Sequence, residues 1–160
     1  MAEQATLDKY KKAATRFRQM IENTDRSKLP AEFENFPGWA PGSRDDEKIH
    51  ESWGRIEAPI LLAQYLIDLG YGIPVYVRAE LYNPDLRWAH TWIELDGILL
   101  DIALDGLFAD APSVIVMEDS ECHDIFKRLD ENPVAIHVFD ERTVSMLRAA
   151  YHEIIGLRVH

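Results

Sequence analysis

In the stretch HTWIELDGILLD, residues 90 to 101, His90 and Asp101 stand on either side of an Asp96-Gly97 pair. Asp-Gly between apolar runs is the strongest short signal for a two-residue hairpin turn. With those two residues as the loop, Trp92 faces Asp101 across the strands and His90 faces Ala103. His90 and Asp101 are then diagonal neighbours on one face, about 7 to 8 Å apart at the backbone, a gap that an imidazole and a carboxylate can close. The chemistry of such a pair is that of a base and its orienter. The carboxylate fixes one histidine tautomer and leaves the other ring nitrogen free to take a proton. A register slip of one residue would put the two side chains on opposite faces. The competing structural reading is a strand histidine between Trp88 and Trp92, satisfied by any nearby acceptor.

Other groups capable of chemistry are sparse. Cys122 is the single cysteine; it lies in DSECHDIF, where the pattern places a helix start, a position that favours a thiolate. A lone cysteine is otherwise an inert structural residue. His50, Glu51, His90 and Asp101 could be assembled into a metal site, but no His-x-x-x-His or Cys-x-x-Cys spacing supports one, so no metal is expected. Gly70-Tyr71-Gly72 lacks the further glycine of a dinucleotide loop and reads as a helix stop, so no cofactor is expected either. His123, His137, His152 and His160 are scattered and read as solvated or locally bonded.

Those residues must be positioned by the elements around them. Leu7, Tyr10, Ala14, Phe17 and Ile21 form the apolar stripe of a helix over 7–21. From Asn23 to about His50, the prolines and glycines predict an irregular loop pinned by Phe33, Phe36 and Trp39. A second helix is predicted from Glu57 to Leu69, with Pro59 in its first turn, Gly70 as its stop, and burial on most sides. Residues 73–82 alternate as a strand, Asn83-Pro84-Asp85 turns, and the hairpin follows. Beyond it come a short apolar run at 113–117, a predicted helix from Ser120 containing Cys122, Ile125, Phe126 and Leu129, and a predicted strand over 134–139. The last helix is capped by Asp140, carries Val144, Leu147, Tyr151 and Ile154 or Ile155 on its core stripe, and ends at Gly156.

The chain has 160 residues, 47% of them hydrophobic, enough for one domain over 1–160 with a real core and no disulfide framework. Its formal net charge of -11 repels phosphate backbones and anionic membrane surfaces, which argues against nucleic-acid and membrane partners. No segment approaches the roughly 18 apolar residues of a membrane span, and no signal-peptide pattern opens the chain, so a cytoplasmic location is expected.

The segment from Ser52 to Asp105 resembles the transglutaminase-like superfamily, a branch of the papain-like cysteine-enzyme fold. In that family a cysteine opens a buried helix that ends in a Leu-Gly-Ile-Pro-like turn; a strand, a His-Ala-Trp-Val-Glu-like strand and an aspartate on the next strand follow. Here ILLAQYLIDLG, GIPVYV, HTWIEL and LLDIALD occur in that order. The resemblance implies an α+β fold with a central antiparallel sheet packed against the buried helix. It also implies acyl transfer or hydrolysis at peptide or glutamine amides, with His90 as base and Asp101 as orienter.

The nucleophile departs from the family pattern, since HESWGRIEA holds no cysteine. Ser52-Trp53 lies closest to the family's Cys-Trp, whereas counting back from Leu69-Gly70 reaches about Arg55. A serine hydroxyl needs more help from its base than a thiol. Three readings stay open: Ser52 as a working or substituted nucleophile, Cys122 in a permuted arrangement, or a degenerate member that binds a peptide or protein without turnover.

Overall fold

The computed structural model describes residues 2–30, 53–81, 89–108 and 110–156. Phe33, Phe36, Trp39, His50, Glu51, Ser52, Tyr82, the turn at 83–85 and Trp88 lie outside the described residues. The architecture is α+β. Helix α1 (Gln4–Glu22) and helix α2 (Trp53–Asp68) precede strands β1 (Val75–Leu81), β2 (Ala89–Leu95), β3 (Ile98–Asp101), β4 (Ile115–Met117) and β5 (Phe126–Pro133). Helix α3 (Glu141–Ile155) closes the described chain. The five strands form one sheet in the order β4-β3-β2-β1-β5, every neighbour antiparallel.

The hairpin folds in the register its turn dictates. Asp96 and Gly97 take positive φ values of 54° and 76°, as a two-residue primed turn requires. Ile93 then pairs with Leu100, Glu94 with Leu99 and Leu95 with Ile98. From α1, the Tyr10 hydroxyl donates to Asp96 Oδ2 at 2.5 Å and ties the turn to the helix.

Alternation along the strands separates two cores. On one face Ile93, Leu95, Ile98 and Leu100 pack with Phe17 and Ile21 of α1, Leu61, Leu62 and Leu66 of α2, and Leu147 and Ile154 of α3. Each fully buried side chain of this size contributes about 1.5 to 3 kcal/mol. On the opposite face Val77, Ala79, Trp92 and Leu99 pack with Phe126 and with Leu104 and Leu107 from the segment after β3.

Three expectations are corrected. Helix α2 is already formed at Trp53, so Pro59 lies inside it rather than in its first turn. An interior proline costs roughly 3 kcal/mol, which the complete burial of Ala58, Leu61, Leu62 and Ala63 around it outweighs. The predicted helix from Ser120 is instead a three-residue 3₁₀ turn over Glu121–His123 followed by β5. Its apolar members at helical spacing are not a core stripe, because Ile125 and Leu129 are 45% and 40% exposed. The segment FKRLDENP is held by backbone pairing to β1, with a bulge that leaves Leu129 without an opposite residue. The predicted strand over 134–139 keeps one sheet-like bond, Val134 N–H to the Pro74 carbonyl. It then curls into a 3₁₀ turn at Ile136–Val138, whose first amide donates to Gln64 Oε1 of α2.

The remaining ends follow their signals. Tyr71 N–H returns to the Leu66 carbonyl across Gly70 (φ 79°), the six-residue closure of a glycine-stopped helix. Asp140 caps α3 by accepting from Thr143 N–H at 3.0 Å, and Gly156 ends it at φ 63°. Among the described residues no helix is long and apolar enough to cross a membrane.

Candidate active site

His90 comes from the start of β2 and Asp101 from the end of β3, both on the sheet face opposite the helices, with Trp92 between them. The diagonal relation closes as a hydrogen bond: His90 Nε2 lies 2.6 Å from Asp101 Oδ2. A third residue joins them. His123, from the 3₁₀ turn before β5, places its own Nε2 2.7 Å from the same Oδ2, and its Nδ1 lies 2.5 Å from Ser120 Oγ. Asp101 Oδ1 meanwhile accepts the Ala103 amide at 2.8 Å.

The hydrogen-bond inventory assigns protons to these rings. An ionised carboxylate only accepts, so both histidines present Nε2–H to Asp101. His123 Nδ1 then accepts from the Ser120 hydroxyl, whereas His90 Nδ1 is buried with no hydrogen-bond partner among the described residues. His123 can take a second proton and keep both N–H groups bonded, donating to Ser120 Oγ as well as Asp101. A second proton on His90 would leave a buried N–H unsatisfied unless an incoming group accepts it. One carboxylate thus orients two histidines of different capacity.

Burial makes the cluster electrostatically strong. His90 and Asp101 are each 1% exposed and His123 is 6% exposed. Burial alone pushes the Asp101 carboxyl up, but His90 and His123 overcome it and hold the group well below the usual carboxylate range. The rings of Trp92 and Phe126 complete the wall: Trp92 meets His123 edge-on at 4.8 Å, and Phe126 lies 5.4 Å from His90. Low local dielectric strengthens every bond among these groups and penalises any that is broken.

Helix α1 fixes the far side of the cluster. Arg18, buried beside the apolar stripe of α1, forks onto Asp105 at 2.9 and 2.8 Å and donates to the Ile102 carbonyl at 2.5 Å. It therefore holds the backbone immediately beyond Asp101. Bidentate geometry of this kind is the strongest available to a guanidinium.

His90, Asp101 and His123 also offer three ligand atoms within 4.8 Å of one another, the make-up of a two-histidine, one-carboxylate metal site. As arranged, these atoms are each other's hydrogen-bond partners. A tetrahedral ion with bonds near 2.05 Å needs its ligand atoms about 3.3 Å apart, so metal would have to spread the 2.6 and 2.7 Å contacts. The present geometry fits protons better than a cation.

Of the residues expected to act, the structure brings His90 and Asp101 together and leaves Ser52 outside the described residues. Helix α2, which Ser52 precedes, packs on the other face of the sheet through Leu61, Leu62 and Leu66. Cys122 is exposed and sits in the short 3₁₀ turn, so it has no long helix behind it. Ser120 and His123 were missed because a helix over this segment would have pointed them elsewhere. The local signal was Ser-x-x-His, a spacing that lets a turn fold the hydroxyl onto the ring. No protein-family model, curated protein or solved structure matches this chain.

Proposed function

We propose that the chain is a papain-like, transglutaminase-like enzyme that performs acyl transfer or hydrolysis on peptide or glutamine amides through a nucleophile-His-Asp arrangement. The observation that carries this reading is the unpartnered Nδ1 of His90, opposite an Nε2 held at 2.6 Å by Asp101. Asp101 orients that ring and leaves its other nitrogen to exchange a proton with an incoming group. His90 is the general base and acid, Asp101 the orienter, and Ser52 the nucleophile that the resemblance points to. A second serine stands in a complete hydrogen-bonded series, Ser120 to His123 to Asp101.

The burial of His90, on the sheet face away from α2, favours a second reading in which the same fold binds a peptide or protein without turnover. A fluorophosphonate probe followed by peptide mapping separates the readings. The proposal expects labelling at Ser52 that is lost in His90→Ala. Labelling at Ser120 that is lost in His123→Ala but kept in His90→Ala would move the nucleophile to the second series. Absence of serine labelling, together with Cys122 alkylation at the rate of a free thiol, would leave the binding module.

A further inference from the structure

The helix-covered side of the sheet holds a separate buried acid. Glu57, on α2, is 5% exposed, and its Oε2 has no hydrogen-bond partner among the described residues. It lines a cavity of about 300 Å³ between α2, β1, β5, the 134–139 turn and α3. Most of the wall is apolar, with Ile60, Val134, Phe139 and Leu147 among its residues. The volume sits at the small end of ligand pockets, and an apolar wall with one or two convergent polar groups is their usual make-up.

We infer that this cavity binds a small alkylammonium ion, its chain against the apolar wall and its charged head on the Glu57 carboxylate.

Two ligand chemistries can satisfy a buried carboxyl: a carbonyl that accepts its O–H, or a cation that pairs with its ionised form. Local charge selects the cation. Arg78 of β1 and Asp130 of β5 stand at the cavity and cancel each other in an exposed pair at 2.7 Å, so among the described residues no lining cation is left over for Glu57. Among the described residues Tyr76 of β1 is the remaining titratable lining group, and burial raises its hydroxyl to about 12, so it stays neutral. The 134–139 turn and α3 contribute no titratable group to the lining. A chain of net charge -11 also concentrates small cations over anions.

Without a ligand, burial pushes the Glu57 carboxyl up to about 9, so the acid is protonated at neutral pH. Binding an ammonium head must therefore release close to one proton from Glu57. This release distinguishes an ion pair from a neutral hydrogen bond, which releases none.

The test is calorimetric titration of the full chain with n-hexylammonium chloride at neutral pH, in buffers of different ionisation enthalpy, with hexan-1-ol and hexanamide as neutral probes. The expected result is saturable hexylammonium binding with proton release, at least about tenfold tighter than either neutral probe. Glu57→Gln, which keeps the shape, should lose about tenfold in affinity and all of the proton release. Val138→Trp, placed on a residue 56% exposed at the cavity, should weaken binding without abolishing proton release. Hexanamide or hexan-1-ol binding as tightly as the ammonium overturns the inference. So does unchanged affinity in Glu57→Gln or in Val138→Trp, and so does an absence of saturable hexylammonium binding to the unaltered chain.

Discussion

The two faces of the sheet each bury a carboxyl, and the two groups end in opposite states. Asp101 receives three hydrogen bonds, from His90, His123 and the Ala103 amide, and stays ionised. Glu57 has an oxygen with no partner and is driven to its neutral form. Burial is nearly the same, at 1% and 5% exposure, so depth does not decide the charge. The number and sign of the partners do.

Removing the Asp101 charge should have the largest effect on this contrast. Asp101→Asn puts an amide where two ring N–H groups and a backbone amide now donate, and about 3 to 5 kcal/mol of stability should be lost, read as a fall in the urea midpoint. A stability within about 0.5 kcal/mol of the parent would mean that the two histidines are not held through this carboxylate.

The pH dependence should run in opposite directions for the two acids. Asp101 has a depressed folded pKa, so its contribution is present above the ordinary aspartate value of 3.8 and is lost as pH falls below it. Glu57 has a raised folded pKa, so its contribution is present below 4.5 and is lost as pH rises towards about 9. Glu57→Gln should therefore match the parent near pH 4.5 and gain on it by about 1.4 kcal/mol for each pH unit above that, levelling off near pH 9. Parallel stability curves for the two proteins from pH 5 to 9 would show that Glu57 is ionised in the folded state.

The smallest effect should come from Ser120→Ala, which removes the partner of His123 Nδ1 while leaving Asp101 fully bonded. A loss of about 1 kcal/mol is expected, with the His123 ring resonances shifted and those of His90 unmoved. Equal shifts in both rings would show that the two histidines behave as one unit.

The better-read side of the site was the one encoded locally. Asp96-Gly97 admits few backbone shapes, and once the turn is set, the period of two places His90 beside Asp101. The α1 and α3 stripes were legible for the same reason: each buries one face, and the spacing records it. His123 was illegible because it reaches Asp101 from 22 residues away, on a segment whose path is set by pairing with β1. That strand, FKRLDENP, is exposed at all but its first residue, so side-chain alternation has nothing to encode. The role of Arg18 had no local signal, because its partners, Asp105 and the carbonyls of Ile102 and Ser113, come from remote chain. The burial of α2 on most sides was readable, but not the cavity that isolates Glu57, which depends on how β5 and the 134–139 turn leave the sheet.

The outer strands carry a consequence for association between molecules. A sheet ends in two rows of unpaired backbone groups, each a template for another chain. Among the described residues one end is β4, only three residues long, and the other is β5, which presents Lys127, Arg128, Asp130 and Glu131, bends at a bulge and finishes at Pro133. A short margin and a charged, kinked one both oppose strand addition. The same irregularity that hid β5 from the sequence pattern protects the sheet against growing into its neighbours.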